Sequence, residues 1–196
     1  MLKEMNNEQP TMMNCAMNFG VVVGVYYIVK FSLFPLSLHS TMAALLFLGL
    51  TLVVPVLVYR LVKRYRNQYC GGQIDFFRAF SFTMLTMGCG SLLAAVAHYA
   101  YFAFIDGGAM VGALVQSIEQ LKGVDLTVLE NASAESIVQF NQYIEFMQHT
   151  VDQIRAMSPI DITIGMLSNN VSWSVVLSLP IALVASLRRP EKNYNS

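Results

Sequence analysis

Lys30, His98, Asn169 and Asn170 are the residues best equipped for chemistry, because each puts an ionisable or amide group inside an otherwise apolar run. A lysine or histidine so placed can relay a proton or hold a counter-ion, and paired amides can line a polar path. Each also has a plainer reading. Lys30 stands ten residues beyond Gly20, near the end of its run, where a long side chain reaches back to the interface. His98 precedes Tyr99 and Tyr101 near another run's end, a common interfacial setting. Asn169 and Asn170 can hydrogen-bond to a neighbouring helix, a contact averaging about 0.6 kcal/mol.

Other reactive constellations are not spelled out by the residues. The histidines, His39, His98 and His149, are far apart and lack ligand spacing. Cys15, Cys70 and Cys89 fit no zinc pattern, and none falls in the long polar loop, so a disulfide framework is not expected. Cys70-Gly71-Gly72-Gln73 has glycines but no following Gly-Lys-Ser/Thr and no preceding strand, so it reads as a flexible break. No serine sits in a nucleophile elbow and no carboxylate pair sits within an apolar run. The expectation is therefore a non-enzymatic protein with no catalytic residue, no cofactor and no metal site.

The elements that carry these residues are four apolar runs, Ala16–Leu38, Thr41–Val62, Ala79–Ile105 and Ile160–Leu187. Each is near or above the roughly 20 residues a helix needs to cross about 30 Å of hydrocarbon. Hydrophobic residues make up 55% of the chain and charged ones 12%, half the roughly 25% usual in soluble domains. The predicted fold is all-α: an integral membrane four-helix bundle in one domain, with a helical hairpin inserted between spans three and four. Its first partner is the lipid bilayer. Nucleic acid is not expected, because the basic, tyrosine-bearing segment Tyr59–Arg66 abuts a span and reads as an interfacial anchor with a taste for anionic lipid.

Small residues recur where spans must touch. Gly20 and Gly24 are four apart in span one; Gly88, Gly90, Ser91, Ala94 and Ala95 lie in span three; Gly165, Ser168/Asn169 and Ser172 share a face of span four. Such spacings let backbones approach closely and predict helix packing. Pro35–Ser40 predicts a short turn between spans one and two, and Pro55 a bend in span two. Asp75 suits the start of span three, while Ser158-Pro159-Ile160-Asp161 spells N-cap, N1 and N3 of span four.

Charge sets the topology. Arg60, Lys63, Arg64, Arg66 and Arg78 bracket the second loop, and Arg188, Arg189 and Lys192 follow span four. Between spans three and four stand Asp106, Glu119, Asp125, Glu130, Glu135, Glu145 and Asp152 against Lys122 and Arg155. The positive-inside rule puts both termini in the cytoplasm and residues 107–157 outside it. Within that segment Ile137, Phe140, Ile144, Met147, Val151 and Ile154 repeat at spacings of 3 and 4, predicting a helix over Ala134–Met157. Val111, Leu114, Val115, Ile118 and Leu121 predict a shorter amphipathic helix ending near Gly123. The stripe can face its hairpin mate, the membrane surface, or a partner. Asn131-Ala132-Ser133 and Asn170-Val171-Ser172 match the glycosylation triplet, the second inside a span.

From about Met13 to Arg189 this layout resembles the bacterial membrane family known as domain of unknown function 4199. The resemblance rests on the glycine-bearing first span and on Phe77-Arg78-Ala79-Phe80 leading into a small-residue span. It also rests on the outer helical insertion and the closing Ser186-Leu187-Arg188-Arg189-Pro190. It implies a multi-pass protein of the bacterial inner membrane and supplies no activity, cofactor or catalytic residue. Two functions remain in view. One is assembly, as a homo-oligomer or with a membrane-protein partner, through the small-residue faces and outer hairpin. The other is a small transporter or channel subunit with a polar path near Asn169 and Asn170.

Overall fold

A computed structural model describes residues 11–38, 40–123 and 134–187. Six helices occupy them: α1 Met12–Ser37, α2 Thr41–Tyr69, α3 Phe76–Phe104, α4 Ala109–Lys122, α5 Ala134–Ala156 and α6 Pro159–Ser186. No strand occurs among the described residues. α1, α2, α3 and α6 are 26 to 29 residues long and apolar enough to cross a membrane. At about 1.5 Å per residue each exceeds the hydrocarbon thickness. The chain is a membrane protein by these four helices.

α3 is the central helix, packed extensively by α1 on one side and α6 on the other, with α2 lying mainly along α1. Half of its most apolar stretch is buried against 11% for α2. The α1–α3 contact depends on missing side chains. A Cβ on Gly20 would stand 2.6 Å from the Cβ of Cys89 and 3.1 Å from the carbonyl oxygen of Thr86. One on Gly24 would meet Leu93 at 2.7 Å, and one on Gly90 would meet Val23 at 2.8 Å and the Gly24 nitrogen at 3.0 Å. Ser91 and Ala94 are buried on the same helix.

The α6 face turned inward carries Thr163, Ser174, Ser178, Ile181, Ala182 and Ala185. Its hydroxyls are settled within the helix: Thr163 donates to Pro159 O at 2.8 Å, Ser174 to Asn170 O at 2.8 Å, and Ser178 to Ser174 O. On α3, Thr83 donates to Ala79 O and Ser91 to Met87 O in the same way. Back-bonding of this kind lets short polar residues act as small packing units without an unpaired group in hydrocarbon.

Helix ends follow the capping chemistry. Asp75 is the N-cap of α3, accepting from Arg78 N at 2.9 Å. Ser158 and Asp161 form a reciprocal capping box at α6, with Pro159 at its first turn. One sequence expectation needs correction here. Pro35 lies inside the last turn of α1 and the turn begins only at Leu38, where the missing N–H costs one helical bond near an end. α2 runs on to Tyr69, so its basic segment is helical and continuous with the span.

Beyond the far end of α3, α4 and α5 form the expected hairpin. Ile118, Ile144 and Val151 are buried between them, with Val111, Leu114, Val115, Phe140 and Met147 packed around. Ile154 leaves this cluster to join Phe31, Phe102, Met110, Ile162 and Met166 at the end of the four long helices. The stripe that sequence offered to a partner is thus mostly consumed inside the hairpin. A narrow apolar stripe needs one helix to cover it, and α4 is the nearest one in the chain.

Two outcomes follow. Gly24→Ala and Gly90→Ala should each lower bundle stability by about 1–3 kcal/mol through overpacking, read as a lower Tm in detergent. Gly88→Ala, whose Cβ would meet open space, should leave Tm unchanged or raise it. Ile144→Ala should cost the hairpin about 2–4 kcal/mol and speed amide hydrogen exchange in α4 and α5, with α1 and α3 still protected.

Candidate functional site

The four candidate intramembrane polar residues do not converge. Lys30 and His98 are near each other; Asn169 and Asn170 are elsewhere on α6. Lys30 is half-buried on α1, with its Nζ 5.4 Å from the Tyr27 ring centroid and 5.5 Å from that of Phe47 on α2. It makes no ion pair among the described residues. Aromatic faces are a weak substitute for water around an ammonium, worth about 2 kcal/mol when desolvated.

His98 is 4% exposed. Its ring centroid is 4.2 Å from that of Phe31, which in turn contacts Phe34, Tyr101 and Phe102. His98 Nδ1 has no hydrogen-bond partner among the described residues, and neither has Thr86 Oγ1. Histidine here is a flat ring within an aromatic cluster that joins α1 to α3 and receives the hairpin. No group of three or more His, Cys, Asp or Glu side chains that could hold a metal lies among the described residues.

α6 separates its two asparagines. Asn170 is half-buried, and its backbone carbonyl takes the Ser174 hydroxyl. Asn169, about 100° round the helix at 3.6 residues per turn, is exposed, and so are Gly165, Ser168 and Ser172. A Cβ on Gly165 would meet nothing within 4 Å, and Ser172 donates to the Ser168 carbonyl of its own helix. Gly165 and Ser172 are therefore not packing residues within the chain. Gly88 is likewise open, and Ala95 is half-buried. The sequence contains two small-polar stripes on α6, their centres about 150° apart at 3.6 residues per turn. The one spaced Asn170, Ser174, Ser178, Ala182 is turned inward, and periodicity alone could have found it. Nor does Asn169 make the interhelical bond expected of it: its side chain has no partner among the described residues.

At the opposite end from the hairpin stands Arg66, which the sequence offered as an interfacial, topology-setting cation and not as a buried one. This residue is 8% exposed and donates from Nη1 to the carbonyl of Ala185 at 2.9 Å. Ala185 belongs to the last turn of α6, whose carbonyls have no partner within the helix. A cation here meets both a free acceptor and the negative end of the helix dipole. Arg78 extends over Tyr65, with Nη2 at 3.3 Å from the phenol oxygen and the guanidinium 5.9 Å from the ring centroid. Tyr65 in turn stacks on Phe82 with centroids 3.9 Å apart. The signal for Arg66 was its position three residues after Lys63 on a helix still running; its long-range partner, 119 residues away, leaves no local trace.

Several sequence candidates fall outside the described residues: His39, Asp125, Glu130, Asn131-Ala132-Ser133, Arg188, Arg189 and Lys192.

Comparison with curated proteins and with solved structures yields no match. The sequence model of the family described as "Protein of unknown function (DUF4199)" matches residues 18–186. That stretch takes in the whole of α2 to α6 and most of α1, including the glycine contact and the outward face of α6. The chain belongs to this family.

Proposed function

We propose that this is a non-enzymatic, self-assembling subunit of the bacterial inner membrane, in which the outward face of α6 docks against the same face of a second copy. One observation carries the reading: Asn169, about 15 Å along α6 from its start at about 1.5 Å per residue, is exposed beside Ser168, Ser172 and Gly165. In hydrocarbon an unbonded amide costs several kcal/mol. A two-fold related copy presents an identical amide, and an amide both donates and accepts, so the pair satisfies itself. The small neighbours allow the backbones to approach near enough for that bond. A transport path is less well supported, since Asn169 is exposed and Asn170 half-buried on α6, while Lys30 and His98 are carried by α1 and α3.

In this reading the basic end, with Arg60, Lys63, Arg64 and Arg66, is cytoplasmic, and the acidic hairpin is on the other side. The hairpin's apolar stripe being occupied, its exposed acidic and amide residues are what it would offer a partner.

In a background carrying Cys15→Ala, Cys70→Ala and Cys89→Ala, Ser172→Cys should form a disulfide-linked dimer in liposomes. Leu52→Cys, exposed on α2, should not. Adding Asn169→Leu should weaken dimerisation about 3- to 20-fold, the equivalent of about 0.6–1.7 kcal/mol for one interhelical polar contact. A chain that stays monomeric at native density, or an Asn169→Leu dimer as tight as the parent, would defeat the proposal. For the orientation, Glu145→Cys should react with an impermeant maleimide from the periplasmic side and Gln73→Cys only after the membrane is opened. The reverse labelling would invert the topology.

A further inference from the structure

The basic end of the bundle holds a cleft of about 530 Å³ between the α2–α3 loop and the last turn of α6, with Arg66, Arg78 and Asp75 among its lining residues. Its chemistry is unbalanced toward cation. Arg66 is more than nine-tenths buried, yet it has no carboxylate within ion-pair distance among the described residues. Its Nε and Nη1 are used by Asn67 and Ala185, leaving Nη2 without a bond to a described residue. Burying a guanidinium with no counter-anion costs several kcal/mol, more than capping one carbonyl returns.

Arg78 brings a second guanidinium, held by Tyr65 but likewise without an ion pair among the described residues. Among the described residues lining the cleft the one carboxylate, Asp75, has its Oδ1 committed to the N–H of Arg78 as a helix cap. Among the described residues, two cations against one anion leave a positive site. Gly71 and Gly72 form its floor, with φ of +61° and +83°; these values, disfavoured for L side chains, turn the loop back and leave no side chain in the opening.

The setting adds a second constraint. The cleft lies where three membrane-crossing helices end, and apolar residues line it: Leu187, and Phe76, which is followed on α3 by Phe77, 77% exposed. A ligand with a charged phosphate and an apolar body would satisfy guanidinium and rim together, and arginine is the side chain suited to phosphate oxygens. We infer that this cleft binds a phosphate group, that of an anionic phospholipid whose acyl chains run beside Phe77 and Leu187. The inference is independent of whether α6 dimerises.

Native mass spectrometry of the full chain from non-ionic detergent tests it, with dioleoylphosphatidylglycerol as probe and dioleoylglycerol, which lacks the phosphate, as control. The parent should retain the phospholipid at least 10-fold more tightly than the diacylglycerol. Arg66→Gln with Arg78→Gln should abolish that preference, and Arg60→Gln with Arg64→Gln, the same change of charge on the exposed face of α2, should keep it within 2-fold. Because Arg66→Gln also uncaps α6, Arg78→Gln alone, at an exposed position, provides the check and should weaken binding at least 3-fold with Tm unchanged. Glycerol phosphate at millimolar concentration distinguishes the source: failure to displace the lipid upholds a lipid site, and displacement upholds phosphate recognition but moves it to a soluble ester. Equal retention of the two lipids, or equal losses in the two double variants, would overturn the inference.

Discussion

The close approach of α1 and α3 is the contact on which the rest of the bundle is built. Lipid offers helices little hydrophobic reason to associate, so packing must come from dispersion at short range and from backbone proximity. Gly20, Gly24 and Gly90 provide it by leaving out the side chains that would hold the axes apart. With α1 fixed on one flank of α3, α6 can lie along the other, and α2 is left to cover α1. The outer hairpin then docks on the aromatic cluster that these helices present at their ends, through Met110 and Ile154.

A second constraint shapes what lies between the helices. With no water available, a hydroxyl inside the bundle must find its acceptor nearby, and the carbonyl four residues back is always in reach. Ser91, Thr83, Ser174 and Ser178 all use it. The interior is mostly apolar, and the hydroxyls within it that bond back to their own helix behave as nearly apolar. That distinguishes it from a conducting path, which needs polar groups still free to bond a passing solute. Among the described residues, two fully buried side-chain atoms that stay without hydrogen-bond partners, Thr86 Oγ1 and His98 Nδ1, are isolated from each other along α3.

Much of this architecture was legible in the residues. Four spans, the capping box at Ser158, the cap at Asp75 and both hairpin helices follow from apolar length, turn chemistry and a period of 3.6, all of which are local. Gly20 and Gly24 were readable for the same reason. Facing was harder. α6 carries small and polar residues on both sides, and a moment or a stripe cannot say which side a neighbour covers when lipid and protein are equally apolar. In a water-soluble helix, solvent would have broken that tie. Arg66 was legible as an interfacial cation but not as a buried one: its partner is Ala185, and a contact across 119 residues has no signature in spacing. Pro35 misled because a proline near a helix end is as compatible with the final turn as with its termination.

The bond from Arg66 to the Ala185 carbonyl has a mechanical consequence. It ties the foot of α6 to α2, while Ile162 and Met166 wedge its head among Phe31 and Phe102. A rod clamped at top and bottom resists spinning about its long axis. Asn169 therefore has no easy way to swing into the interior, where Ser174 and Ser178 already occupy the neighbouring turns. In the proposed assembly, the group that quenches that amide comes from the second copy.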